Sequence, residues 1–109
     1  MITLMIDTDE LEALRARLEE QYEECTERLA AQLASSRQRR ANPASAAALA
    51  SAVAASQLAL AETATALRRM AEGSYGRCER CTGNISMQVL QLSPTARCCH
   101  ACADIPGRP

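Results

Sequence analysis

The sequence predicts a mainly α protein: two long helices folded back on each other as an antiparallel coiled-coil hairpin, followed by a small C-terminal lobe built on four cysteines. Three observations predict it. Apolar residues recur at steps of three and four along two long stretches, an Asn-Pro break divides those stretches into nearly equal arms, and two Cys-x-x-Cys pairs stand 17 residues apart near the end. Composition narrows the choice further. Alanine supplies 22 of the 109 residues, while Leu, Ile and Val supply 18 and Phe and Trp are absent. Burial yields roughly 25 cal/mol per Å² of apolar surface, so a chain this poor in bulky side chains cannot build a thick core. Large sandwiches, Rossmann folds and barrels are excluded. A thin helical seam or a staple of metal or disulfides is what remains.

The first arm runs from Asp7 to Ala41. Leu11, Leu14, Leu18, Tyr22, Cys25, Leu29 and Leu33 form its apolar seam, near the 3.5-residue period of a coiled coil. Asp7 or Thr8 caps its start, and Asp7 with Glu10 has the spacing of a capping box. Cys25 lies in the seam and reads as core packing, and the glutamate pairs at 19–20 and 23–24 as a solvated face. The residue before a proline is pushed out of helical backbone, and Asn is a good N-cap, so the chain turns at Asn42-Pro43 and a new helix starts there.

The second arm, Ala44 to Glu72, continues the pattern through Leu49, Val53, Ser56, Leu60, Thr63, Leu67 and Met70. Its seam is weaker, because small residues hold several positions, yet alanine lets two helices approach closely. At about 1.5 Å per residue, arms of about 34 and 30 residues make rods of roughly 45–50 Å. The expected division is 1–72 for the N-terminal segment and hairpin, with its tip near 36–45, then 73–103 for the cysteine lobe and 104–109 for a tail. Glu72-Gly73 stops the second helix. Within the lobe, Ile85 to Leu92 is expected to give short strands and Ser93-Pro94 a turn.

Cys78-Glu-Arg-Cys81 and Cys99-His-Ala-Cys102 carry the chemistry. Two thiolates at this spacing fit one tetrahedral zinc on a tight turn, and two such turns complete four-sulfur coordination. Disulfides or a redox pair are the alternatives. Met1 to Asp7 lacks the basic start and long apolar run of a signal peptide, so a cytoplasmic protein is expected, where paired cysteines favour metal. Four sulfurs close a zinc to substrate, which makes it a single structural ion. Cys98 and His100 flank the second pair and read as a small buried residue and a solvated loop residue. The sequence holds no nucleophile–base pairing, phosphate loop or carboxylate dyad on a defined scaffold, so no enzyme is expected. The Ala/Ser-rich run 44–61 lacks the bulky apolar residues of a membrane span.

The stretch Ala66-Leu67-Arg-Arg69-Met70-Ala-Glu-Gly73-Ser74-Tyr75-Gly76-Arg-Cys78-Glu-Arg-Cys81 resembles the entry to the zinc finger of the DksA/TraR family. Ile85, Leu90, Pro94, Ala96, Cys99 and Cys102 continue the pattern. The close match spans Leu67 to Cys102, and the hairpin matches in architecture. The resemblance implies a bacterial transcription factor that binds RNA polymerase directly rather than DNA, with its coiled-coil tip inserted through the secondary channel. Two positions in the finger depart from the pattern: Thr82 stands where the family usually has Gly, and Val89 where it usually has Arg. The tip departs more. Better-known members carry acids there, whereas this chain has no Asp or Glu from Arg28 through Ala61 and sets Arg37, Arg39 and Arg40 beside the turn with Asn42.

Those arginines complement the dipole at the end of the first helix, opposite Asp9, Glu10 and Glu12 at its start. Their functional reading is contact with carboxylates or phosphates inside a polymerase channel, where bidentate arginine pairing is favourable. Two rival functions use the same features. One is a coiled-coil adaptor pairing through its Ala-rich face with a partner or itself. The other is a direct nucleic-acid binder, disfavoured by a net charge of −1, no Lys and no aromatic stacking surface. The expected state is a monomer with self-association possible, off the membrane.

Overall fold

The computed structural model describes residues 8–39 and 42–103. Helix α1 spans Thr8–Arg39 and α2 spans Pro43–Glu72, lying antiparallel to it, and two short helices follow, α3 at Met87–Leu92 and α4 at His100–Ala103. The molecule measures 56 × 31 × 21 Å, a rod two helices thick with a lobe at one end. Asp7 lies outside the described residues, and with it the expected capping box at the start of α1.

Local chemistry explains the breaks. Asn42 has extended backbone (φ −113°, ψ 106°), and its Oδ1 accepts from the N–H groups of Ala44 (3.0 Å) and Ser45 (3.3 Å). Two of the donors left free at the start of α2 are thereby satisfied, and Pro43 in the first turn has no N–H to lose. At the other end Gly73 takes φ 82°, and the N–H groups of Gly73 and Ser74 close onto the carbonyls of Met70 (3.2 Å) and Arg69 (2.9 Å). A left-handed residue in that position ends the helix and turns the chain toward the lobe.

The hairpin seam differs from its expected composition on α1. Leu14, Leu18 and Cys25 are buried, but Tyr22 and Leu33 are 41% and 52% exposed. At about 100° per residue, these two lie roughly 60° and 80° off the line through Leu14, Leu18 and Cys25, because successive steps of four walk out of a straight seam. Half-buried Gln32 and Ser36 take the interior near the tip instead. The expected seam of α2 holds: Ser56, Thr63 and Met70 are buried, Leu49, Val53, Leu60 and Leu67 are half-buried, and Ala66 joins them. The buried Thr63 hydroxyl donates to Ala59 O at 2.8 Å, a local bond that lets a polar side chain sit in the seam. By length and composition α2 can also cross a membrane, reaching a mean hydropathy of 1.5 over 18 residues. That value comes mostly from alanine methyls, not from the Leu, Ile and Phe side chains that drive insertion.

The main core lies at the base of the rod. Leu14 and Leu18 of α1 and Ala66 and Met70 of α2 form one buried cluster with Tyr75, Cys78, Ile85, Leu90 and Cys102 of the lobe. The strands expected over Ile85 to Leu92 are absent. Ser86 caps α3 instead, its Oγ accepting from Val89 N–H at 3.3 Å, and among the described residues β pairing is confined to one bridge, Arg77 with Asn84. The alternating pattern of this segment suits a strand only where a neighbour offers a ladder, and the tight cysteine turn beside it offers one pair. As a helix the segment buries Leu90 fully and leaves Leu92 exposed. The Ser93-Pro94 turn is present as expected, closed by Ala96 N–H onto Ser93 O at 3.0 Å.

This division of labour is measurable. Leu18→Ala should cost about 3 kcal/mol in denaturant unfolding, and Leu33→Ala less than about 0.5 kcal/mol, since only the first leaves a cavity. Equal losses would restore Leu33 to the seam.

Candidate metal centre

The path from α2 into the site is set residue by residue. After Gly73, Tyr75 turns inward and its hydroxyl donates to Pro94 O at 2.8 Å, while burial pushes its pKa up to about 12 against the opposing pull of Arg17 and Arg69. Gly76, at φ 86°, lets the backbone reverse, and its carbonyl accepts from Ile85 N–H at 2.7 Å. Cys78 N–H then donates to Gly83 O at 2.7 Å and Thr82 N–H to Cys78 O at 3.0 Å. These bonds wrap residues 78–83 into a knuckle. The N–H groups of Arg80 (3.4 Å) and Cys81 (3.5 Å) point at Cys78 Sγ, and that of Gly83 at Cys81 Sγ (3.4 Å). The second pair sits on the first turn of α4, with Cys102 N–H on Cys99 O at 3.0 Å.

These turns bring the four predicted sulfurs together. The Sγ atoms of Cys78, Cys81, Cys99 and Cys102 all lie within 4.8 Å of one another, and those of Cys81 and Cys99 are 3.7 Å apart. A tetrahedral zinc with Zn–S near 2.3 Å needs sulfurs about 3.8 Å apart, so the donor set, its number and its spacing fit one zinc ion. All six cysteines are free thiols, against the disulfide alternative.

The protonation pattern fits as well. Burial raises the Cys78 thiol, but the N–H groups around its sulfur prevail and lower its pKa to about 6. At Cys81 the Gly83 N–H lowers the pKa, yet hydrogen bonding with Cys78 and Cys99 leaves it raised. Burial, its cysteine neighbours and the Cys78 charge push Cys102 up to about 12. Four sulfurs this close resist sharing more than one negative charge, and a dication removes that resistance.

The remaining predicted residues fall elsewhere. Cys98 is half-buried and packs against the core rather than joining the four, and Cys25 is buried in the seam. Asn42 is engaged as the cap of α2. Arg40 lies outside the described residues, as do the side chains of Arg37, Arg39 and His100. Val89 is half-buried and packed against the core.

Sequence reading did not single out the polar ties of the lobe. Arg17 Nη1 donates to Gln91 O at 2.8 Å, joining α1 to α3. Glu79, inside the first cysteine pair, meets Arg97 Nε at 3.0 Å and Arg69 Nη1 at 3.5 Å. The signal for the Glu79–Arg97 pair was present as opposite charges within one cysteine pair and just ahead of the other. Thr82 has φ 61°. A β-branched residue in that region is strained, because its branched Cβ crowds the backbone.

No family model and no curated protein matches this sequence. Among solved structures, that of transcription factor DksA2 from Pseudomonas aeruginosa superposes with a TM-score of 0.82 at 21% identity, covering 90% of this chain and 83% of that one. The hairpin and its terminal lobe are therefore a DksA-like fold. On that fold the four cysteines form a cluster able to hold one metal ion.

The strain at Thr82 gives a direct test. Thr82→Gly should stabilise the protein by about 0.5–1 kcal/mol, and Thr82→Asn by less, as read from denaturant midpoints. A destabilised glycine variant would mean that the hydroxyl bond from Thr82 to Cys81 O outweighs the backbone strain.

Proposed function

We propose that this chain is a cytoplasmic transcription regulator that binds bacterial RNA polymerase directly, its hairpin entering the secondary channel. One structural zinc held by Cys78, Cys81, Cys99 and Cys102 fixes the base. The observation that carries the reading is a DksA-like fold shared over 90% of the chain with a transcription factor. The rod's shape supports it: two packed helices are about 20 Å wide, as an element that enters a channel must be. With four sulfur donors the zinc has no open position for substrate, so its chemistry is to neutralise the thiolates and hold two turns together; the chain is no enzyme.

In this reading residues 1–72 form the N-terminal segment and probe, 73–103 the base and 104–109 a tail. Arg37, Arg39 and Arg40 at the tip, beside Asn42, meet carboxylates or phosphates in the channel. The regulator acts as a monomer without reading DNA sequence. A second reading draws on the outer face of α2, where Leu58 is 60% exposed among alanines: an adaptor that pairs through that face. A mass that rises with concentration, together with no retention on polymerase, would favour it.

The purified protein should carry one zinc per chain by elemental analysis, and chelation should loosen residues 73–103. A stoichiometry near zero sinks the zinc assignment. Immobilised RNA polymerase should retain the chain. Replacing Arg37, Arg39 and Arg40 together with Ala should abolish its effect on transcription while leaving its helical content unchanged. Undiminished regulation by that variant removes the arginine tip from the mechanism.

A further inference from the structure

We infer that Arg69 is a latch that transmits metal occupancy of the cysteine cluster to the end of α2, and so sets how the lobe seats on the hairpin. The inference rests on the zinc proposed above and concerns a residue outside the ligand set. Arg69 stands in the last turn of α2, and its side chain is only 11% exposed. Its guanidinium donates to Ser74 O at 3.0 Å and to Arg77 O, and pairs with Glu79 Oε2 at 3.5 Å. Arg77 immediately precedes Cys78 and Glu79 immediately follows it. One side chain on the helix thus holds the chain on both flanks of the first cysteine.

The second cysteine pair is hooked to the same group. Glu79 Oε1 accepts from Arg97 Nε at 3.0 Å, and Glu79 N–H donates to Arg97 O at 2.9 Å, just ahead of Cys98 and Cys99. The backbone of Arg69 takes part too, its carbonyl accepting from Ser74 N–H at 2.9 Å and Tyr75 N–H at 3.2 Å. The apolar contacts at the base lack direction, whereas these bonds are directional and hold only while the knuckle keeps its shape. When the metal leaves and the knuckle relaxes, Arg77 O and the Glu79 carboxylate leave the guanidinium. A shielded cation without partners is costly, so Arg69 turns to water and the last turn of α2 loosens. Ala66 and Met70, on that turn and the one before, belong to the core cluster with Leu14 and Leu18 of α1, which carries the change into the rod.

The neighbouring arginine supplies the control. Arg68 is 62% exposed and pairs with Glu72 at 3.8 Å on the surface, without reaching the lobe.

Amide hydrogen exchange over residues 66–75, read with and without a zinc chelator and alongside zinc content and helical content, tests the latch. In the wild type, chelation should accelerate exchange there at least about tenfold, the scale of losing charged hydrogen bonds. In Arg69→Met, with zinc still at one per chain, the chelation effect should fall below about twofold, and Arg68→Met should behave as wild type. A full chelation response in Arg69→Met overturns the latch, as does a wild type that loses its zinc without any change at 66–75. Should Arg69→Met fail to fold, Glu79→Gln takes its place: it should lower the response at least about threefold, and an undiminished response overturns the proposal. Absence of zinc from the wild type overturns the zinc reading itself and is seen in the metal content, separately from exchange.

Discussion

The structure depends on one shared core at the base of the hairpin, where Leu14, Leu18, Ala66 and Met70 meet Tyr75, Ile85, Leu90 and two of the four clustered cysteines. Away from that base the helices have little to hold them together. Near the tip the seam sets half-buried Leu49 and Val53 among alanine, serine and Gln32, whose buried Oε1 has no hydrogen-bond partner. A cleft of about 380 Å³, lined by Arg28, Gln32, Ser35, Leu49 and alanines, opens between the helices there. A long pair of helices with so little side-chain volume needs an anchor, and the lobe supplies it.

The anchor in turn is built from turns rather than from regular layers. The knuckle around Cys78, the Ser86-capped α3 and the single turn of α4 are each closed largely by local backbone bonds, with Glu79 N–H reaching Arg97 O across the lobe. What joins them is Cys78 and Cys102 in the core, the Tyr75 hydroxyl on Pro94 O, and the chain of charges from Arg69 through Glu79 to Arg97. A four-sulfur metal site suits such a lobe, because a single ion replaces the apolar area that about 30 residues cannot supply.

Chemistry along the rod is uneven. Acids crowd the first two thirds of α1, the tip and most of α2 carry none, and the chain has twelve Arg but no Lys. The hairpin that emerges has a second arm without charge from Pro43 through Ala61 and a tip whose formal charge is positive, unlike the acid-tipped members of the family it resembles. A shared fold therefore leaves the tip's own chemistry to this chain, and the proposed contact with carboxylates or phosphates follows from its charge.

Much of this was legible in the residues themselves. The Asn42-Pro43 break, the stop at Gly73, the seam of α2 and the four-cysteine set follow from local rules of capping, φ restriction and ligand spacing, which act over a few residues and leave marks in the sequence. Tertiary structure decided the rest. Whether Tyr22 and Leu33 lie in the seam depends on where α2 sits against α1, and steps of three and four do not fix that line over eight turns. Whether residues 85–92 become strand or helix depends on a partner strand that the folded knuckle does not offer. The strain at Thr82 and the reach of Arg69 around Cys78 arise only once the chain is folded, because they join backbone and side chains whose relative positions no local pattern records.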